Sequence, residues 1–268
     1  MKFEMIGVDP FNEIEMDILP ITVISGMNNT GKTVLCRSFY HTFKLVNSDQ
    51  DRCEFEDNED CELWRINNKR NNSIYYVGSH YLLEDETKIS PNDTTLPKRI
   101  EGILAYVKND LTYIEDNGKF TCKRGEQKGT SSGLKIFIKL ESLLRGGELK
   151  EGDMIILDNP EIFTHPHYQL YLGELIVLIQ KLLHINVLIV TNSVYLLDAL
   201  DKFTLRHSDD DYYKNIAFYL VERSGLHSTV RNVSTELEIV YRHLYAPMQS
   251  LMNMEYGVYN DYDCMIQE

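Results

Sequence analysis

Apolar and polar positions follow two different periods along this chain, and the period changes from segment to segment. Positions 3–8 and 12–16 alternate every second residue, as edge strands or an opening hairpin do. Positions 21–24 are a mostly apolar run stopped by Ser25 and Gly26, the signature of a strand buried on both faces. Leu35, Phe39 and Phe43 then recur at helical spacing, so a helix is predicted over 33–43 directly after a glycine turn. A strand at 74–77 and a helix at 100–111 follow. Asp116-Asn117-Gly118 between 112–114 and 120–122 reads as a hairpin. The second half alternates regularly: helix 134–144, strand 154–157, helix 167–183, strand 187–190, helix 194–200. Such alternation implies right-handed crossovers and a mostly parallel sheet. A second hairpin is predicted from 216–221 and 227–233 around Arg223-Ser224-Gly225. A last helix, 235 to about 246, should end at Pro247.

The pattern breaks between positions 46 and 72. Asp49, Asp51, Glu54, Glu56, Asp57, Glu59, Asp60 and Glu62 crowd together there, before Arg65, Lys69 and Arg70. This segment reads as a solvated surface insertion, or functionally as a docking surface for a basic partner. It contributes to a chain total of 27 Lys+Arg against 41 Asp+Glu and a net charge of −14. That balance repels phosphate backbones at long range, so nucleic-acid binding would need a local basic patch. Lys119, Lys123, Arg124 and Lys128 are the candidate for one, with an exposed hairpin as the plainer reading. No apolar run approaches the roughly 18 residues of a bilayer span, and no secretory signal is visible, so a soluble cytoplasmic protein without a membrane partner is expected. Cys36, Cys53, Cys61, Cys122 and Cys264 lack paired spacing and read as free thiols.

Chemistry enters at Gly26-Met27-Asn28-Asn29-Thr30-Gly31-Lys32-Thr33, which has the Walker A spacing between a buried strand and a helix. The glycines let backbone N–H groups wrap phosphate oxygens, and the helix N-terminus adds positive potential. Lys32 should reach the β- and γ-phosphates of a nucleotide, and the Thr33 hydroxyl should coordinate Mg²⁺. The strand Met154-Ile155-Ile156-Leu157-Asp158 ends in a carboxylate and supplies a Walker B aspartate as the second metal anchor. Upstream, Thr130-Ser131-Ser132-Gly133-Leu134-Lys135 opens a helix, with Gly133 standing 25 residues before Asp158. Its hydroxyls and free N–H groups form a phosphate site with no local phosphate, unless Ser132 is simply an N-cap.

This order of motifs, continued by Asp158-Asn159-Pro160-Glu161, His165-Pro166 and Thr191-Asn192-Ser193, resembles the ABC-type ATPases over about residues 1–245. Among them it looks most like the branch of the overcoming-lysogenisation-defect nucleases, RecF and the ATPases of bacterial antiphage systems. The resemblance implies an α/β P-loop NTPase: an ABC-ATPase-like, mostly parallel sheet with an antiparallel edge and a helical signature lobe at 78–150, followed by a tail at 246–268. It implies ATP and Mg²⁺ as cofactors and a head-to-tail homodimer, in which Ser132, Gly133 and Lys135 contact the γ-phosphate held by Lys32 of the partner subunit.

Two positions depart from that family's pattern. Asn159 stands where the catalytic glutamate is usual, and Asn192 where the switch histidine is usual. An amide cannot accept a proton at neutral pH, so slow hydrolysis is expected. Glu161 is the nearest other carboxylate, as base or aimed at the dimer interface. No Q-loop glutamine follows the 74–77 strand, where Ser79 and His80 stand. The 76 residues after Asn192 are too few for the Toprim domain of the lysogenisation-defect nucleases, which points to a separately encoded effector, a nuclease or toxin. The expected function is an ATPase subunit controlling that effector in antiphage defence. The alternatives are a nucleotide-gated scaffold without useful turnover, or a RecF/SMC-like DNA-maintenance ATPase.

Overall fold

The computed structural model of the protein describes residues 1–47, 63–66, 72–78, 94–110, 113–116, 119–122, 132–147, 149–207 and 212–255. Its strands are β1 (Lys2–Val8), β2 (Phe11–Asp17), β3 (Ile21–Ser25), β4 (Leu63–Ile66), β5 (Ile74–Gly78), β6 (Tyr113–Asp116), β7 (Lys119–Cys122), β8 (Met154–Asp158), β9 (Asn186–Val190), β10 (Ile216–Ser224) and β11 (His227–Asn232). The helices are α1 (Lys32–Asn47), α2 (Lys98–Asp110), α3 (Ser132–Arg145), α4 (Pro166–Leu183), α5 (Val194–His207), the single turn α6 (Tyr212–Asn215) and α7 (Leu237–Glu255).

Among the described residues nine strands form one sheet in the order β4-β1-β2-β11-β10-β3-β9-β8-β5. From β10 to β5 every pairing is parallel, whereas β1–β2, β1–β4 and β10–β11 are antiparallel. The expected mostly parallel sheet with an antiparallel edge is therefore present. Apolar residues on both faces of β3, β8 and β9 are what a parallel strand covered on each side requires. Ile155, Leu157, Val187 and Ile189 face a core built with α2 to α5 and α7. Their neighbours Met154, Ile156, Leu188 and Val190 face a second core shared with α1 and the β1–β2 hairpin.

Three elements differ from the pattern-based expectation. Leu63–Ile66, inside the 46–72 segment, pairs antiparallel with β1 and extends the sheet by one strand; residues 48–62 and 67–71 lie outside the described residues. α5 runs on to His207, and α7 continues through Pro247 to Glu255. Proline there removes one backbone donor and crowds the carbonyl of His243, a cost of about 3 kcal/mol that weakens a helix without obliging it to stop. The lobe expected at 78–150 contains α2, α3 and the β6–β7 hairpin, with Tyr113 opposite Cys122. In it the buried Glu141 carboxylate is bracketed by Lys108 and by Arg145 Nε at 3.0 Å. Ser79, His80, Lys123, Arg124 and Lys128 lie outside the described residues, as do Cys53, Cys61 and Cys264. Among the described residues no helix is long and apolar enough to cross a membrane.

Candidate nucleotide-binding site

The loop between β3 and α1 owes its shape to backbone positions that exclude most side chains. Gly26 has φ 147°, and a Cβ there would lie 2.2 Å from the carbonyl oxygen of Val221 on β10. Gly31 has φ 92°, and its Cβ would meet Pro10 at 2.7 Å and the Phe11 ring at 2.9 Å. Asn29 takes φ 62°, which asparagine tolerates better than most residues. The wrapped loop closes on itself: Lys32 Nζ donates to the carbonyls of Gly26 (2.9 Å) and Met27, and Thr30 Oγ1 donates to Met27 (3.0 Å). Burial pulls the Lys32 ammonium down to about 8, against the raising influence of Asp158 and Glu161. Arg223, on the β10–β11 hairpin, donates to the Asn29 carbonyl at 3.1 Å and ties the loop to the neighbouring strand.

Asp158 ends β8 beside this loop. Its Oδ1 accepts from the Thr33 hydroxyl at 3.3 Å and from Asn159 Nδ2 at 2.9 Å, and its Oδ2 accepts from the Tyr76 hydroxyl at 2.7 Å. Walker A threonine and Walker B aspartate, 125 positions apart, thus meet as a donor set of hydroxyl and carboxylate oxygens suited to a hard divalent cation. Asn159 itself sits at φ 53°, its amide spent on Asp158.

Glu161 belongs to this cleft. Its Oε1 accepts from the Thr191 hydroxyl at 2.7 Å and the Asn192 backbone N–H at 3.0 Å. Its Oε2 is buried with no partner among the described residues, as is Asn192 Oδ1. Burial lifts the Glu161 carboxyl above the usual carboxylate range, and the hydrogen bonds from Thr191, Asn192 and Ser193 offset only part of that. Asn192 Nδ2 reaches across to Asn28 Oδ1 at 2.7 Å and bridges the two walls. Behind them Ser193 Oγ donates to the buried Gln169, whose amide donates to the Thr164 carbonyl at 2.7 Å. His165 caps α4 by accepting from the His167 N–H through Nδ1.

Asn28, Asn29, Thr30, Gly31, Lys32, Thr33, Asn159, Glu161 and Asn192 line one cleft of about 500 Å³, with Gly26 and Asp158 directly behind it. Among the described residues, Gly133 and Lys135 are not part of that lining. The start of α3 packs instead against the segment after Glu161, where a Cβ on Gly133 would stand 3.0 Å from the Phe163 carbonyl oxygen. Sequence reasoning missed Tyr76, Thr191 in its role on Glu161, and Arg223. Each acts from another strand, so no local spacing could reveal it.

No protein-family model matches the chain, and no curated protein matches it in sequence. Solved structures match in fold. An SMC head bound to the C-winged-helix domain of ScpA aligns with a TM-score of 0.55 at 11% identity, covering 89% of this chain and 98% of that one. The SMC head domain from Thermotoga maritima aligns at 0.49 with 14% identity, covering 87% and 98%. The ADP conformation of an ATP-binding cassette of an ABC transporter aligns at 0.46 with 16% identity, covering 92% and 95%. The fold is thus similar to that of the SMC head aligned at 0.55.

Proposed function

We propose that this chain is an ATPase subunit that binds ATP with Mg²⁺, hydrolyses it slowly, and closes head to tail on a second copy. The observation carrying this reading is the meeting of Thr33, in the lining of the P-loop cleft, with Asp158 directly behind it, in a cleft also lined by Glu161 and Asn192. The Lys32 ammonium, held on two loop carbonyls, exchanges them for phosphate oxygens when ATP enters. Thr33 and Asp158 would hold Mg²⁺, which supplies charge neutralisation at the phosphates. Among the described residues Glu161 Oε2 and Asn192 Oδ1 are buried acceptors without a donor, and each is free to take a water proton, with Glu161 as the general base and Asn192 as its guide. Asn159 positions Asp158 instead of taking a proton. Because Glu161 does this work from two residues beyond the usual position, with one oxygen already tied to Thr191 and Asn192, turnover should lie below about 1 per second.

Exposed apolar side chains support the dimer. Met27, Ile162, Phe163, Tyr195 and Leu226 all stand on loops or helix starts that follow the C-terminal ends of β3, β8, β9 and β10, so they rim the cleft on one face. Closure on that face would bring Ser132, Gly133 and Lys135 of one copy to the nucleotide of the other. Two readings exist for what the dimer controls. The motif order favours a separately encoded nuclease or toxin effector in antiphage defence; the likeness to an SMC head favours DNA maintenance.

Steady-state phosphate release tests the chemistry. Glu161→Gln should lower the rate about 10²- to 10⁴-fold, and Asn159→Glu should barely raise it. A wild-type rate unaffected by Glu161→Gln would overturn the assignment. The wild-type rate should climb with pH through a value above the ordinary carboxylate range, because the base works only when ionised.

A further inference from the structure

Asp158 is held from a direction the motifs do not mention. Tyr76 lies on β5, which runs parallel to β8 with Tyr76 opposite Ile156 and Gly78 opposite Asp158. Ile156 and Asp158 share one face of the sheet, the α1 side, so the Tyr76 ring starts one pleat below Asp158 and reaches up to it. Its hydroxyl donates to Asp158 Oδ2 at 2.7 Å. Arg37 of α1 hydrogen-bonds the same hydroxyl, and the ring rests against Tyr40 at 5.5 Å between centroids. Tyr40 in turn carries Lys44 over its face at 4.7 Å.

We infer that Tyr76 is a positioning residue for the metal-binding carboxylate: by holding one oxygen it fixes the plane of Asp158 so that the other oxygen is presented to Thr33. This rests on the reading of the cleft as a Mg²⁺-nucleotide site and deepens it. A carboxylate without an outer partner turns about its Cβ–Cγ bond, and its plane then tilts away from the direction in which one oxygen meets both Thr33 and the Asn159 amide. With Oδ2 claimed by a phenol that itself accepts from Arg37, one rotation is favoured, and the Oδ1 lone pairs converge with the Thr33 hydroxyl where a cation would sit. Outer partners of this kind commonly change metal affinity about 10- to 100-fold when removed.

Binding of a non-hydrolysable ATP analogue, measured by isothermal titration with Mg²⁺ and again in EDTA, tests this on the full chain. Tyr76→Phe keeps the ring and removes only the hydroxyl. It should leave affinity in EDTA unchanged while cutting the gain conferred by Mg²⁺ about tenfold or more. A purely structural role would weaken both measurements equally, and that result, or an unchanged Mg²⁺ gain, overturns the inference. If Tyr76→Phe does not fold, Arg37→Gln, at an exposed position, should show a smaller loss of the same Mg²⁺ gain; no loss overturns the inference as well. A wild-type chain that binds no nucleotide in either condition would instead remove the underlying reading of the cleft.

Discussion

The P-loop wall of the cleft is one uninterrupted segment, residues 26–33, whereas the opposite wall is gathered from the ends of β8 and β9 and reaches back to β5. The first wall is shaped by backbone. Gly26 and Gly31 stand at positive φ against Val221, Pro10 and Phe11, and the loop carbonyls are closed by its own Lys32. The second wall is shaped by side chains: Asp158 held by Thr33, Asn159 and Tyr76, and Glu161 held by Thr191 and the Asn192 N–H. A backbone-built wall tolerates little change in sequence. A wall built from side chains can hand a role to a neighbour, which is how an amide can stand at position 159 while a carboxylate two residues on faces the cleft.

Breaking the first wall should have the largest effect. Lys32→Ala leaves the Gly26 and Met27 carbonyls without their shared donor and takes the only cation among the described residues of the cleft lining. Nucleotide affinity should fall about 100-fold or more through loss of charge-assisted contacts to phosphate, with melting shifted by only a few degrees. Retained affinity in isothermal titration would contradict the assignment.

The dimer sharpens the comparison, because both walls would be completed from the same face of a second copy. Gly133→Arg is not a clean probe, since position 133 abuts the Phe163 carbonyl oxygen of its own chain. Tyr195→Glu is cleaner. Tyr195 is 51% exposed in the first turn of α5, where an acidic residue suits the helix N-terminus. It should weaken ATP-dependent self-association about tenfold, the share of one partly exposed aromatic anchor, while monomer ATP binding stays unchanged. Light scattering with ATP and Mg²⁺ checks this, and undiminished dimerisation would remove the cleft face as the interface.

The last effect, no larger than that of Tyr195→Glu, concerns protons. In the free protein Lys32 has a pKa of about 8, lowered by burial. Bound phosphates favour its charged form, so binding above that pH must take up a proton. Affinity should then fall as pH rises through 8, by about tenfold between pH 7 and 9 if the bound-state value lies well above this window. Titrations in buffers of different ionisation enthalpy would show the uptake, and a pH-independent affinity would contradict it.

Much of this molecule was open to sequence reasoning, because the interactions that determined it are local or periodic. Alternation in 3–8, the apolar runs of β3, β8 and β9, and the helical spacing of Leu35, Phe39 and Phe43 each report which faces are buried, and so they predicted the elements and the parallel core. The P-loop was legible for the same reason: its glycines and Lys32 act within eight consecutive positions. What the tertiary structure decided are contacts between distant segments. Tyr76 meets Asp158 through strand register, Thr191 and Asn192 hold Glu161 across two strand ends, and Arg223 reaches Asn29 from another hairpin. Leu63–Ile66 became a strand because β1 offered an unpaired edge, and α7 passed Pro247 at the loss of one hydrogen bond. Such outcomes depend on which groups the fold brings within hydrogen-bonding distance, and no spacing along the chain encodes that distance.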